Sequence, residues 1–439
     1  MWIARIIGSL LCLVLLVGEG FTQVNIEKTK GGFHAVLIRK FDVKSAGLVR
    51  TRNLVGNVRI RGGDSKQVVI TMDYFIAAEN EKEAQEIFER IGAEVNKNGN
   101  QIEIIGKEKY SCCDDYTYLI ELPEVFNLDV RTVGGEIQLS QIKGDALLNT
   151  AGGDIGIANV TGSLNAETAG GEIIASYIDG ITLLRTAGGD VELRNGSTGP
   201  FSLSTSGGEI ELQEIRGDAN VVTAGGNIVA RNVNGNLELR TSGGEIILQN
   251  VSGVAHIAKT SGGDVRADNV SGRVDLRTAG GELIIRTIRG AVNGHTSGGD
   301  VNVFDVFGDV SVSTLGGELQ INDVRGRVQG ETSGGDVYAS LKKGEQLDGP
   351  IRLCTSSGSI ELQLPEDVKA TIQAIVRIEN SPRDYDIRSD FRLEVIEEKL
   401  EHRFGREMRE VRASGKLNGG GFLIELETIN GDINIEKVK

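Results

Sequence analysis

Thr186-Ala187-Gly188-Gly189-Asp190-Val191-Glu192-Leu193-Arg194-Asn195 is one of a series. Variants of Thr-x-Gly-Gly-acid-aliphatic begin at Thr132, Thr150, Thr168 and Thr205, and continue through the middle of the chain. The first Gly of each pair falls at 134, 152, 170, 188, 207, 225, 243, 262, 280, 298, 316 and 334. The interval from 134 to 152 is kept throughout, lengthened by one position only before 207 and 262. Repetition at this length marks a solenoid, in which each copy buries its apolar face against its neighbours.

Within a copy the apolar residues alternate. Ile137 and Leu139 point one way, and Glu136 and Gln138 the other. A bend follows at Gln141-Ile142-Lys143-Gly144, then a second alternating run, clear at Leu237, Leu239 and Thr241. Alternation over four to six residues bounded by Gly reads as strand. Each copy therefore holds two short strands and two turns. Gly-Gly is expected to supply the positive φ angles of a tight corner. The repeated Thr has inward parity, so its methyl can pack while its hydroxyl bonds the corner backbone.

The acid alternates strictly. Glu136, Asp154, Glu172, Asp190, Glu209, Asn227, Glu245, Asp264, Glu282, Asp300, Glu318 and Asp336 follow in order. Ile or Leu follows Glu, and mostly Val follows Asp. Asn-Val pairs recur at Asn159, Asn232 and Asn269, with Asn250 out of phase. Two copies per coil would gather all Glu on one face and all Asp on the other. This predicts an all-β solenoid (β-helix) of about six 36-residue coils. A helix of hexapeptides has coils one copy long, but stepping by six from Ile137 reaches Lys143 and Asn149, so it does not fit.

The 439 residues include 60 Gly but only 5 Pro, and 39% are hydrophobic. Low Pro suits long backbone ladders. A net charge of −15 argues against nucleic acid as a partner, which needs a basic face. The N-terminus has Arg5, an apolar run Ile6 to Val17, then Gly18 and Gly20. This reads as a signal peptide over residues 1–20, so the chain is expected to be exported to the periplasm, cell surface or outside. No later segment is apolar enough to span a membrane. Cys12 falls in the leader. Cys112 and Cys113 are adjacent and stand as a possible redox pair, beside a lone Cys354. His34, His256, His295 and His402 have no ligand spacing with these thiols.

Residues 21–130 break the repeat and read as an N-terminal cap containing one amphipathic helix. Its apolar face is Ala84, Ile87, Phe88, Ile91 and Val95, with Asn80 as N-cap and Glu83 as capping-box partner. The repeat array occupies 131–341. Residues 342–439 form a β-rich C-terminal capping segment, in which the motif returns at Thr355 and Thr428. The charged run Arg392 to Arg412 fits neither strand nor helix clearly, and Gly405 counts against a long helix.

The repeated Thr-x-Gly-Gly-Asp/Glu-Ile, the lead-in Tyr118 to Thr132, the late Ser357 to Ala374 and the closing Thr428 to Ile435 resemble a bacterial β-strand-repeat family called "putative adhesin" (domain of unknown function 4097). The resemblance covers most of the chain beyond the leader. It implies a β-solenoid at the cell envelope or outside the cell, and no enzymatic activity or catalytic residues.

Gly-Gly-Asp is also found in calcium-binding nonapeptide repeats, but those need Gly-Gly-x-Gly-x-Asp every nine residues. No metal site and no cofactor is expected. Polysaccharide-active β-helices need aromatic platforms and placed carboxylates. Here aromatics are 5% and the lone Trp2 lies in the leader, so no catalytic residue is assigned. The expected function is non-enzymatic binding or adhesion to an envelope or host surface component. The surface would consist of polar, patch-free faces carrying Arg240, Arg277, Glu238, Asp275, Gln138 and Asn302. The alternatives are an envelope-stress sensor or regulator, a self-assembling solenoid scaffold and, last, a polysaccharide-active enzyme.

Overall fold

In the computed structural model, which describes residues 3–7, 10–17, 20–44, 46–107, 116–341, 349–403 and 406–438, the alternation of each copy becomes strand. Ile137–Lys143 buries Ile137, Leu139 and Ile142 and exposes Gln138, Gln141 and Lys143. Two inward residues, Leu139 and Ile142, are three apart because Gln141 adopts φ +60°. One left-handed residue inserts an extra outward position and bends the strand. The same site is Asn159, Tyr177, Asn195, Asn232, Asn250 and Asn269 in other copies. Asn tolerates this region best among residues with a Cβ, and this is the physical source of the Asn-Val pairs.

One copy makes one coil. Ile137 pairs in parallel with Ile155, Ile155 with Ile173, and Ile173 with Val191, each partner one copy further along the chain. Val191 meets Ile210 across one of the two lengthened steps. The coil of 36 residues, and the count of about six coils, are therefore corrected: twelve 18- or 19-residue copies each supply a rung. The chain divides into two compact units, residues 1–220 and 221–439. The first holds the rungs beginning Ile137, Ile155, Ile173, Val191 and Ile210. In the second, Ile228, Ile246, Val265, Leu283, Val301, Leu319 and Val337 stack in sequence.

The alternation of Glu and Asp has a different cause from the one expected. Asp154 Oδ1 accepts the backbone N–H of Glu172 on the next coil at 2.9 Å. Asp190 does the same for Glu209, Asn227 for Glu245, Asp264 for Glu282 and Asp300 for Glu318. The short side chain reaches the coil above. Glu, one methylene longer, turns outward instead: Glu245 meets Arg266 at 2.5 Å, and Glu282 meets Asn302. Each Asp or Asn thus ties its corner to the backbone of the next coil, as Asp336 also does to Ser359 N–H. The core column beneath alternates too, with Leu283 and Leu319 flanking Val301, so larger and smaller side chains interleave.

The Thr column behaves as read. Thr296 is fully buried. Its Oγ1 donates to Gly281 O of the preceding coil at 2.8 Å and accepts from Gly299 N–H of its own corner at 3.3 Å. Thr150, Thr186, Thr260, Thr278 and Thr314 repeat the donation to the preceding coil. The Gly-Gly corner, however, needs Gly for space and not for positive φ, which only Gly134 among the array's first-position glycines shows. A Cβ on Gly281 would lie 2.0 Å from Gly263 O, whereas one on Gly280 would meet nothing closer than 3.5 Å.

The flanking segments carry the antiparallel structure. Gly20–Thr29, Gly32–Asp42, Gln67–Ile76 and Tyr116–Pro123 form a ribbon. Ile3–Ile7 and Leu10–Val17 add a hairpin along Gly20–Thr29. Tyr116–Pro123 then runs parallel to Asn57–Gly63, which pairs with the first rung. The helix Glu81–Ile91 buries Ala84, Ile87, Phe88 and Ile91 against the ribbon; Asn80 Oδ1 accepts from Glu83 N–H, and Glu83 Oε2 from Glu79 N–H. Val95 lies in the strand after the helix and is also buried.

In the second unit Ile360–Pro365 and Ile433–Val438 add two further rungs. Between them Ala370–Glu379, Glu394–Arg403 and Arg406–Leu417 make an antiparallel excursion. The ambiguous charged run falls on two strands that pair antiparallel; Gly405 lies outside the described residues. On the outer face of this excursion Glu410 is buried beneath Arg377 and Arg412.

Candidate binding surface

Every second residue of a strand faces solvent, and in-register stacking converts each outward position into a column. The residues expected there are outward, but they are not independent. Glu238 pairs with Arg240 and Asp275 with Arg277, two positions apart on one face. Gln138 Nε2 donates to Glu136 Oε1 at 2.7 Å. In the first unit Asp129 sits between Arg50 at 2.9 Å and Arg131 at 3.1 Å. Exposed pairs of this kind add only about 0–1 kcal/mol each. They neutralise only part of the array's charge, since residues 131–341 carry 25 Asp and Glu against 15 Lys and Arg.

The faces are not patch-free, and this corrects the sequence reading. In the second unit Phe304 is 47% exposed. It stands in an outward column between Arg286 and Asn322. It forms part of a groove of about 370 Å³ with Glu282, Ile284, Arg286, Asn302, Gln320 and Asn322. Phe307, three residues on, carries the Arg325 guanidinium 3.9 Å above its ring. In the first unit Ile174, Tyr177 and Ile181 are exposed close together in the chain. Tyr177 holds φ +56° at the bend where most copies place a small polar residue. The signal was present in the sequence. An apolar residue at outward parity, where sister copies have Arg or Asn, stands out once each copy is aligned as one coil.

The expected redox pair, Cys112 and Cys113, lies outside the described residues. Cys354 is a free, half-buried thiol. Burial pushes its pKa up, partly offset by Arg352. The histidines are dispersed among different partners. His34 meets Asp73 at 3.2 Å and His295 meets Ser313 at 2.8 Å. His256 is inward, in a column between Leu237 and Val274. Its Nε2–H donates to Ser271 O at 3.1 Å, while Nδ1 is buried with no partner among the described residues. No group of three potential metal ligands occurs among the described residues, and none of their helices is long and apolar enough to cross a membrane.

A parallel β-stack whose corners are built on Thr-x-Gly-Gly-acid defines a class of repeat protein. The family model described as Toastrack DUF4097 matches residues 55–269 and again 184–436, and the chain belongs to that family. A comparison with curated proteins gave no match. Among solved structures, a "putative adhesin" from Bacteroides fragilis is 12% identical, covering 64% of this chain and 97% of its own, with a TM-score of 0.22. A "putative cell adhesion protein" from Clostridium sporogenes is 9% identical over 95% of this chain and 100% of its own, at 0.15. A "putative adhesin" from Parabacteroides distasonis is 13% identical over 64% and 97%, at 0.21.

Proposed function

We propose that the protein is an exported, non-enzymatic surface binder. It would act through the outward columns of its coils on an envelope or host surface component. The observation that carries this reading is the groove around Phe304. It joins an exposed ring to Arg286, Asn302, Gln320 and Asn322 on successive rungs, a shallow mixed surface suited to many weak contacts. Binding through repeated weak contacts gains from the number of coils engaged. Export rests on the leader at residues 1–20. Its removal near Gly20 would take away the hairpin strands Ile3–Ile7 and Leu10–Val17 and leave Gly20–Thr29 as the ribbon edge. Residues 21–130 and 342–439 would cap an array at 131–341.

The test uses immobilised envelope or host-cell surface preparations and surface plasmon resonance. The full chain is compared with Phe304→Ser and with a chain lacking residues 282–317, which removes two coils and preserves the Asp-to-Glu phase. Retention should weaken several-fold with Phe304→Ser and further with the deletion. Full retention by both variants would contradict the reading. N-terminal sequencing of the exported protein should begin near Phe21.

A further inference from the structure

The ribbon carries one residue that does not fit its face. Along Gly32–Asp42 the inward positions are Phe33, Ala35, Leu37, Arg39 and Phe41. Four are apolar and buried. Arg39 has the same parity, so its half-buried side chain is drawn beneath the sheet. It lies directly across from Thr22 on the neighbouring strand and from Ile70 on the other side. Arg39 Nε is shielded from solvent with no hydrogen-bond partner among the described residues, and so is Thr22 Oγ1. Burial lowers the Arg39 pKa from its ordinary value. Drawing a cation out of water without a counter-charge is costly, and buried polar groups are normally satisfied.

Both orphaned atoms belong to residues that line one cleft of about 670 Å³, within the range of small-molecule sites. The ribbon supplies Val24, Leu37 and Phe41 as apolar wall, and the helix supplies Phe88. Among the described residues the two carboxylates of the lining meet partners other than Arg39. Glu94 meets Lys107 at 3.5 Å, and Gln85 Nε2 approaches Glu89 Oε1 at 3.5 Å. The lining carries Arg39, Lys97 and Lys107 against Glu89 and Glu94, a positive balance in a chain of net charge −15. Lys107 also donates to Glu89 O near the end of the helix.

We propose that this cleft binds a small amphipathic carboxylate of the fatty-acid type. Its headgroup accepts from the Arg39 guanidinium and the Thr22 hydroxyl, and its tail lies along Leu37, Phe41 and Phe88. One fork of guanidinium N–H groups matches one carboxylate, and the apolar wall favours a chain over an inorganic ion. The site is separate from the outward columns and does not depend on the surface-binding reading.

The probe is decanoate, titrated calorimetrically into the full chain beside decanol. Decanoate should bind saturably and about tenfold or more tightly than decanol, since a hydrogen bond to a charged group contributes about 1.5–3 kcal/mol. Arg39→Met should erase that preference while melting no lower than the parent, because it removes a part-buried cation whose Nε has no hydrogen-bond partner among the described residues. Arg39→Lys should retain part of the preference. Equal binding of decanoate and decanol would overturn the proposal, as would unchanged binding by Arg39→Met or no saturation up to millimolar decanoate.

Discussion

A single methylene sets the rhythm of the array. Asp and Asn reach the backbone N–H of the next coil, while Glu overshoots and turns outward. Removing one such acceptor leaves a part-buried N–H unpaired, which costs about 1–3 kcal/mol. Asp264→Ala should therefore lower stability by that amount in a denaturant melt. Glu318→Ala, at an exposed corner position, should stay within about 0.5 kcal/mol. Equal effects would show that the Asp bond does not set the phase. His256 provides a second test. Burial lowers its pKa, with the Ser271 carbonyl partly opposing. The folded chain then resists a proton that the unfolded chain accepts below about pH 6.5. Stability contributed by this site is complete above that pH and falls as pH drops, by up to about 1.4 kcal/mol per pH unit while the folded form stays neutral. His256→Leu, matching Leu237 in its column, should flatten the melting temperature between pH 7 and 5. An unchanged pH slope would count against a neutral buried imidazole.

At the scale of one coil, the corner explains what periodicity could and could not reveal. Strand, bend, inward Thr and the helix face at Ala84, Ile87, Phe88 and Ile91 were all legible, because each follows from side-chain parity or capping chemistry. The coil length was not. Alternation of Glu and Asp looks like a two-copy period unless the reach of each side chain to the coil above is considered, and that contact lies a full copy away in the chain. Gly-Gly was likewise read as a conformational need. The second Gly is a steric one, its hydrogen facing the carbonyl of the coil below. Gly281→Ala should destabilise by more than about 3 kcal/mol, at the severe end for point changes. Gly280→Ala should cost about 1 kcal/mol or less. A reversal of that order, read from thermal melts of the two variants, would refute the steric account of the corner. The groove at Phe304 was missed for a related reason: an outward apolar residue is conspicuous only against the aligned column of Arg286 and Asn322.

For the molecule as a whole, most of the chain reduces to one operation: advance by one copy and pair in parallel with what came before. The flanks do something else. Their antiparallel ribbons, with the one helix among the described residues, hold Arg39 at an inward position in the first unit and Glu410 buried between Arg377 and Arg412 in the second. The repeat faces offer shallow, net acidic columns, whereas the cleft lined by Arg39, whose Nε has no hydrogen-bond partner among the described residues, lies under the N-terminal ribbon. Everything said of the columns depends on one copy making one coil. Disulfide trapping tests that most directly. Asn293 pairs with Ser311, and Ser311 with Gln329. In a chain with Cys112, Cys113 and Cys354 replaced by Ser, Asn293→Cys/Ser311→Cys should oxidise readily, since paired strands about 4.8 Å apart bring their Cα atoms within disulfide range. Asn293→Cys/Gln329→Cys, two rungs apart, should stay reduced. Efficient bonding of 293 to 329, with none between 293 and 311, would contradict the one-copy coil and restore the two-copy coil.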